Sequence, residues 1–321
     1  MARVVVLGSF NVDHVWTAGT LPLPGETLAG RYASGPGGKG FNQATAAARA
    51  GAVTTFVCAL GDDVAGALAR TLAAADGIAV AAFAADAPTG TAGIYLDEQG
   101  RNCIMVGAGA NALLPASHVA AHAAAFVGAA VVLAQLESPA DAVIAALRAG
   151  RAHGATTMLN PAPANAATSG ELLALADIVT PNETEFAGLL ARHVGDRIDP
   201  DTISGIDQAR LHALCRELSH AGSVVVTLGA SGCFVSHADD ALRGDDRAYY
   251  RLGAEAVRPV DTTGAGDAFS GALAAMLATS PSLPFAALLR VAQRFAALST
   301  EAHGAAAGMP TRQDVDARFT D

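Results

Sequence analysis

The feature that most constrains the fold is an alternation of short β-branched runs with longer stretches rich in Ala and Leu. Such an alternation is typical of strands that follow one another in a parallel sheet, with a helix in each connection. Several runs are apolar at every position, as expected for strands covered by helices on both faces. The sequence therefore predicts an α/β fold, an open and mainly parallel sheet sandwiched by helices. The runs occupy residues 4–7, 54–60, 131–136, 156–159, 178–180 and 223–228.

Two regions interrupt this alternation, at about residues 12–36 and 89–108, and both have alternating strands around turn residues. We expect them to form antiparallel hairpins that pair into a small β-sheet. A sheet hinged on a larger body is suited to act as a lid that excludes water from a reaction. We therefore expect a single α/β domain over residues 1–321 with these lid hairpins inserted. The polar segments 191–208 and 237–253 are predicted to be exposed loops without an assigned role.

The composition excludes several classes of protein. Hydrophobic residues make up 51% of the chain, which indicates a packed core, and a net charge of -10 disfavours nucleic acid as a partner. An acidic chain can still bind a polyanion where backbone N–H groups, cations or metal ions converge. The four cysteines are scattered, without the spacing of a zinc site. We expect a cytoplasmic protein with no membrane span, because 4–7 is too short for a signal peptide and 119–136 carries polar residues.

The most informative segment for chemistry is 261–269, in which Gly264, Gly266 and Asp267 lead into a helical run at 268–278. Glycines at a helix start let the backbone approach a ligand, and the free N–H groups of the first turn favour a phosphate. Asp267 in that turn would lie beside the phosphate and could accept a proton from an attacking hydroxyl. The alternative is that Asp267 only caps its helix.

The segment 35–42 allows a competing interpretation, because Gly35, Gly37 and Gly40 satisfy the GxGxxG pattern of a dinucleotide site, with Asp62 further on. That pattern should follow the first core strand directly, whereas here a predicted hairpin intervenes. The segment is not a P-loop either, because Gly40 follows Lys39 where Ser or Thr is required.

Polar residues near the first strand fit a polyol, whose hydroxyls need both donors and acceptors. Each could instead belong to a turn. The residues are Asn11, Asp13, Lys39 and Asn42.

Two later segments fit a nucleotide and its metal ion. Asn182 and Glu185 are spaced to share one helical face, where they could order a hydrated Mg²⁺, although an acidic helix start is the simpler interpretation. The glycine turn at 227–232 could contact a nucleotide.

Taken in order, these segments resemble the ribokinase family of carbohydrate kinases from about residue 4 to residue 310. The resemblance is carried by the segments 8–13, 24–27, 37–44, 61–63, 107–111, 135–139, 160–164, 181–185 and 261–267. It implies the ribokinase-like fold, an ATP-dependent phosphorylation of D-ribose at O5, and Asp267 as the catalytic base. Under this resemblance, the residues that hold the sugar would be Asn11, Val12, Asp13, Gly38, Lys39, Gly40, Phe41, Asn42, Glu137 and Asp267.

The resemblance also implies the contacts of ATP and of two cations, Mg²⁺ and K⁺. The ATP contacts would be Asn182, Thr227, Leu228, Gly229, Ala230, Ser231, Gly232, Gly264, Ala265, Gly266, Asp267 and Gln293. The K⁺ contacts would be Asp261, Thr263, Ser299, Ala302, Gly304 and Gly308, and Glu185 would bind Mg²⁺ through water.

The resemblance further implies a homodimer joined through the lid. Three alternatives stay open at this point. A sister kinase could act on fructose, a 2-keto-3-deoxy acid or a nucleoside. An NAD-dependent oxidoreductase would use the glycines at 35–40, and a sugar sensor would bind without turnover.

Overall fold

The computed structural model describes residues 2–239 and 241–319. The strands are β1 Arg3–Leu7, β2 Asn11–Ala18, β3 Arg31–Gly37, β4 Val53–Gly61, β5 Ala79–Ala85, β6 Gly90–Asp97, β7 Asn102–Gly107, β8 Val131–Ala134, β9 Thr156–Leu159, β10 Ile178–Val179, β11 Ser223–Thr227, β12 Cys233–Ser236 and β13 Tyr249–Leu252. The helices are α1 Lys39–Arg49, α2 Val64–Ala75, α3 Ala116–Ala121, α4 Ala140–Ala152, α5 Gly170–Ala174, α6 Glu183–His193, α7 Gln208–Leu218, α8 Ala265–Thr279, α9 Phe285–Ser299 and α10 Arg312–Arg318.

The main sheet has nine strands in the order β13-β12-β11-β10-β9-β8-β1-β4-β5. From β11 to β5 all neighbours are parallel, and β12 and β13 add an antiparallel edge. The predicted open, mainly parallel sheet is confirmed. Because the parallel strands run the same way, their carboxyl ends meet along one edge, where folds of this class bind ligands.

Helices cover both faces of the sheet. In β1, Val4 and Val6 face a core shared with α1, α8 and α9. Val5 and Leu7 face a second core shared with α4, α6 and α7. The prediction that uninterrupted apolar runs are strands buried on both faces is therefore confirmed.

The second sheet has four strands in the order β3-β2-β6-β7. Its two antiparallel hairpins, β2–β3 and β6–β7, are joined by a parallel pairing of β2 with β6. Both predicted hairpins are present, and they pair as expected. β2 starts four residues after β1 ends, so the small sheet lies beside the carboxyl edge of the main one.

The prediction of exposed loops at 191–208 and 237–253 is wrong in part. Residues up to His193 complete α6, a 3-10 turn spans Pro200–Gly205, and Tyr249–Leu252 form the edge strand β13. The strand has only four residues, YYRL, and it follows a run rich in Asp, Arg and Gly, so the composition of the whole segment resembles that of a loop. Asp240, within the second segment, lies outside the described residues.

No helix within 2–239 and 241–319 has the length and hydropathy needed to cross a membrane.

Candidate active site

The site is a cavity of about 140 Å³ at the carboxyl edge of the main sheet. It is bounded by the starts of α1, α6 and α8 and by the ends of β9, β10 and β11. Its lining residues are Lys39, Asn160, Ala162, Thr180, Asn182, Glu185, Thr227, Thr262, Gly264, Ala265, Gly266 and Asp267.

The first turn of α8 leaves backbone donors free beside this cavity. Gly264 takes the N-cap position with φ 80°, a left-handed conformation that suits glycine, and provides no side-chain cap. The N–H groups of Gly266 and Asp267 have no hydrogen-bond partner in the part of the chain that the structure describes. Two free N–H groups at the positive end of a helix form a natural cradle for an anion.

The Asp267 carboxylate does not cap its own helix. It accepts hydrogen bonds from two side chains of α1, with Asn42 Nδ2 at 2.9 Å from one oxygen and Gln43 Nε2 at 2.8 Å from the other. Gly271 makes this possible, because a Cβ there would lie 2.3 Å from the carbonyl oxygen of Gln43. The close crossing of α1 and α8 thus brings the two amides to the carboxylate.

The start of α1 is packed equally closely against the end of β1. Gly38 has φ 87°, and a Cβ at Gly40 would lie 2.4 Å from the backbone nitrogen of Ser9. Glu137 follows β8 and accepts from the backbone N–H of Lys39 at 3.0 Å and from Ser9 Oγ at 2.5 Å. Glu137 therefore lies at the start of α1, beside the predicted sugar residues Gly38 to Asn42.

Two polar side chains of β2 complete this side of the site. Asn11 is buried, and its Oδ1 accepts from Asn111 Nδ2 at 2.9 Å. The carboxylate of Asp13 fills the space that a side chain at Gly37 would need. Burial raises the pKa of Asp13 to about 7, with further contributions from Glu137 and Asp267.

Lys39 is the cation among these carboxylates. Burial alone would lower the pKa of Lys39, but Asp267, Glu137, Glu185 and Asp13 together raise it above its usual value. Lys39 therefore stays charged across the physiological range. Burial also raises the pKa of Asp267, while Lys39 and the two amides of α1 oppose that rise.

The opposite wall carries Asn182 and Glu185, which form a capping box at the start of α6. Asn182 Oδ1 accepts from the Glu185 N–H at 2.8 Å, and a Glu185 oxygen accepts from the Asn182 N–H at 2.9 Å. Burial raises the pKa of Glu185, although the Asn182 N–H and Lys39 oppose this. The two residues do share the helix start, as their spacing predicts, and both line the cavity.

The glycine turn after β11 is anchored at both ends. Thr227 lines the cavity and its N–H donates to Pro181 O at 2.9 Å. Gly229–Ser231 form a short 3-10 turn, closed by a bond from Leu228 N to Gly232 O. Ala230 and Ser231 are exposed. Gly232 has φ 89° and passes against the backbone of Leu252 and Gly253.

The residues predicted to bind a monovalent cation are brought together. Asp261 accepts from the backbone N–H groups of Thr263 and Gly304, each at 2.9 Å, and its own N–H donates to Thr300 O. Ser299 turns its hydroxyl back to Ala296 O. Oxygen ligands from the segment at 261–263 and from the loop at 299–308 could therefore surround a cation, and such ligands suit K⁺.

Of the predicted residues, only Lys39, Asn182, Glu185, Thr227, Gly264, Ala265, Gly266 and Asp267 line the cavity, and three others turn their side chains into packed regions. The Phe41 ring packs in the core against Phe10 and Phe56, and the side chain of Val12 packs against the same core. Gln293 donates to Cys233 Sγ and Leu252 O, behind the glycine turn. Their helix and strand positions fit the prediction, but their side chains point into packed regions.

Other polar groups of the site have no assigned role in the sequence-based prediction: Gln43, Asn160 and Thr180. Gln43 contacts Asp267, and the other two line the cavity. Asn160 and Thr180 each follow a core strand, and that position at the carboxyl edge was the signal that could have identified them.

The competing dinucleotide pattern is not in the required setting. Gly35 and Gly37 lie in β3 of the small sheet, whereas such a site requires a core strand directly before its glycines.

Comparison with known proteins agrees with this geometry. The profile of the pfkB family carbohydrate kinases matches residues 1–312. The chain is 38% identical to the bifunctional ribokinase/ribose-5-phosphate isomerase A of Fructilactobacillus sanfranciscensis, over 98% of this chain and 56% of that protein. It is 37% identical to the ribokinase of Mus musculus, over 98% of this chain and 94% of that protein.

A solved structure of Arabidopsis thaliana ribokinase complexed with ribose and ATP superposes with a TM-score of 0.82 at 30% identity, covering 98% of this chain and 97% of that one. The match extends over the main sheet, the small sheet and the site at their junction. The chain belongs to the pfkB family of carbohydrate kinases.

Proposed function

We propose that this protein transfers the γ-phosphoryl group of ATP to O5 of D-ribose, producing ADP and D-ribose 5-phosphate. One observation carries the proposal: the buried Asp267 carboxylate lies next to the unpaired N–H groups at the start of α8. A base and an anion cradle at one point are what phosphoryl transfer to a hydroxyl requires. The full-length similarity to several ribokinases supports ribose as the acceptor.

The sugar would bind between the small sheet and the start of α1. Asn11 and Asp13 approach from the sheet, while Lys39, Asn42 and Glu137 approach from the body. This set contains both donors and acceptors, as vicinal hydroxyls require. Gly38, Gly40 and Phe41 would contribute backbone only, and Val12 would support its two polar neighbours.

ATP would lie across the start of α8, with its phosphates near Gly264 to Asp267 and its nucleoside toward the turn at 227–232. Asn182 and Thr227 line the cavity between the two. Gln293 would act indirectly, since it contacts Cys233, which follows that turn, and Leu252, whose backbone lies against Gly232.

In the reaction, the O5 proton passes to the Asp267 carboxylate as O5 forms its bond to the γ-phosphorus. The bond from that phosphorus to the bridging oxygen breaks, and the electron pair leaves with ADP. The N–H groups of Gly266 and Asp267 stabilise the charge that spreads over the transferring group. The small sheet closes over the sugar and excludes water, so that the acceptor is the sugar hydroxyl.

Two cations belong to the proposal. Mg²⁺ would neutralise the triphosphate, held through water by Glu185, whose buried carboxylate borders the cavity. K⁺ would stabilise the loop that adjoins α8, held by Asp261, Thr263 and backbone oxygens near Ser299, Ala302, Gly304 and Gly308.

We also propose that the chain acts as a single domain and pairs as a homodimer through its small sheet. One face of that sheet carries exposed aromatic rings, with Trp16 5.3 Å from both Tyr32 and Tyr95 between ring centroids. An apolar face of this kind gains stability when a second copy covers it.

The direct test is ADP release from MgATP, measured with D-ribose, D-fructose and adenosine separately, with and without K⁺. We expect release with ribose, and faster release when K⁺ is present. Turnover with fructose or adenosine alone would assign the site to a sister kinase of the family. Release that does not depend on any sugar or nucleoside would contradict the proposal.

A further inference from the structure

A chain of three buried amides reaches the Asp267 carboxylate from the side away from the cavity. We name Gln43, Gln135 and Asn160 the amide chain. Gln43 is fully buried, and its Nε2 lies 2.8 Å from Asp267 Oδ1 and 3.0 Å from Asn160 Oδ1. Gln135 Nε2 donates in turn to Gln43 Oε1. Gln43 does not line the cavity.

The neighbours of Gln43 determine which way its amide points. Gln135 donates to the Gln43 oxygen, so the nitrogen must face the carboxylate. Asn160 donates its own Nδ2 to Thr180 O at 2.8 Å, so it presents its oxygen to Gln43. Both N–H bonds of the Gln43 amide therefore have acceptors. If the amide were rotated by 180°, its oxygen would face the Asp267 carboxylate, and no hydrogen bond could form between them.

This arrangement ties Asp267 to the rigid edge of the main sheet. Gln135 directly follows β8, and Asn160 directly follows β9. Asn42 also holds Asp267, but it belongs to the proposed sugar side, whereas Gln43 lies away from the cavity and its amide is bonded to Asp267, Asn160 and Gln135. Its effect on a reaction must therefore pass through Asp267.

We propose that Gln43 is a positioning residue for phosphoryl transfer: its amide fixes the Asp267 carboxylate and favours the ionised form that can accept the sugar proton. The proposal deepens the function above and rests on Asp267 as the base. A hydrogen bond to a carboxylate is among the stronger ones in proteins, because the acceptor is charged.

The charges around Asp267 explain why such a donor matters. Burial raises the pKa of Asp267, whereas Lys39, Asn42 and Gln43 lower it, and Glu137 raises it further. The charged groups that face Asp267 from the surrounding elements are Lys39 of α1, Glu137 after β8, Glu185 of α6 and Asp13 of β2. Three of these four are carboxylates, so after Lys39 the amides of Asn42 and Gln43 are the groups that favour the ionised form of Asp267.

The test is the pH profile of kcat for Gln43→Met, measured at saturating MgATP and sugar. Methionine keeps the length of the side chain but donates no hydrogen bond. We expect the acid limb of the kcat profile to move to a pH about one unit higher. At pH values below that limb, kcat should be about tenfold lower than in the wild-type protein. The loss should shrink as the pH rises, and KM for ATP should stay within about twofold. A uniform loss at every pH would overturn the proposal.

Thr45→Val is the matched control. Thr45 lies two residues along α1, is buried, and its hydroxyl has no hydrogen-bond partner among the described residues. This variant should keep the wild-type pH profile. If Gln43→Met does not fold, Gln43→Glu preserves size and polarity, and the carboxyl pair it creates should move the acid limb in the same direction. An unshifted limb in the folded variant would overturn the proposal.

Kinetics of the Asp267→Asn variant distinguish the role of Asp267 as the base from the role of Gln43 in positioning it. If Asp267→Asn leaves kcat unchanged, the base assignment itself fails. If it abolishes turnover while Gln43→Met leaves the acid limb unmoved, only the positioning role fails. If Asp267 is the base and Gln43 positions it, the double variant should have a kcat less than about twofold below that of Asp267→Asn alone. The reason is that the carboxylate on which Gln43 acts is absent from both proteins.

Discussion

The corner where α1 crosses α8 and the small sheet differ in how closely they are packed. Eleven of the residues of α8 are buried, including Asp267, whereas every residue of β7 is exposed. At the corner, a Cβ at Gly40 or Gly271 would overlap neighbouring backbone, but at Gly35 in β3 it would meet nothing within 4 Å.

This difference assigns separate tasks to the two regions. The corner can keep the base and the anion cradle in one geometry, because neither helix can move without opening its backbone contacts. In the small sheet close contacts occur at Gly37 and Gly90, beside the body, whereas β7 is exposed and one face carries exposed aromatic rings, as the proposed closure and pairing require. Chemistry should therefore depend on the corner, and sugar affinity and assembly on the sheet.

The largest effect should come from removing Asp267, the proposed base in the corner. Asp267→Asn keeps the size of the side chain, but it replaces one acceptor oxygen with an NH₂ group that would face the amide donor of Asn42 or Gln43, and it cannot accept the O5 proton. We expect kcat to fall by about 10²- to 10⁴-fold with little change in ATP affinity. Steady-state kinetics together with calorimetric titration of ATP will measure both, and an unchanged kcat would remove Asp267 from the reaction.

The next largest effect should be on stability, and it should differ between the tightly packed start of α1 and the small sheet. Gly40→Ala places a methyl group 2.4 Å from Ser9 N, so we expect a loss of about 1–3 kcal/mol in the free energy of unfolding, despite the better helix propensity of alanine. Gly35→Ala should change it by less than about 0.5 kcal/mol. Urea unfolding of both variants compares them directly. Equal losses would show that the two regions are equally constrained.

Assembly should depend on the aromatic face of the small sheet. Trp16→Glu places a charge where Trp16 stacks with Tyr95, and we expect the dimer dissociation constant to rise by about 30-fold, as at an interface hot spot. Sedimentation velocity over a concentration series measures this, with Val64→Glu on the exposed surface of α2 as a control. A wild-type chain that is monomeric throughout would contradict the proposed pairing.

The smallest effect concerns the pH dependence of sugar capture. The pKa of Asp13 is raised to about 7, chiefly by burial, so the carboxylate form that we propose accepts sugar hydroxyls is lost as the pH falls through that value. We expect kcat/KM for the sugar to fall about tenfold between about pH 8 and about pH 6. Asp13→Asn should have a lower but flatter profile, and the same slope in both proteins would exclude Asp13 as the source.

Much of the main fold follows from local pattern. Apolar β-branched runs identify central strands because both of their faces are buried, and six of these strands are where the runs predict them. Strand β5 was not predicted, since its sequence AVAAFAA is rich in alanine, which favours helices. Strand β13 is hidden in the sequence because its four residues, YYRL, follow a run rich in Asp, Arg and Gly that is typical of a loop.

The site was only partly predictable, for a physical reason. Asp267 stands out because glycines precede it at a helix start, which is a local signal. Gln43 has none: it lies inside a helix, and its importance arises only because α1 crosses α8. Phe41 shows the converse, since its place beside Lys39 and Asn42 suggested a sugar contact, while helix geometry turns its ring into the core.

The most direct test of the central claim is identification of the product by phosphorus and carbon NMR after incubation with MgATP and D-ribose. We expect ADP and D-ribose 5-phosphate in equal amounts with the wild-type protein, and almost none of either in the same time with Asp267→Asn. ADP without a sugar phosphate, a phosphate on another oxygen, or equal product from both proteins would contradict the claim.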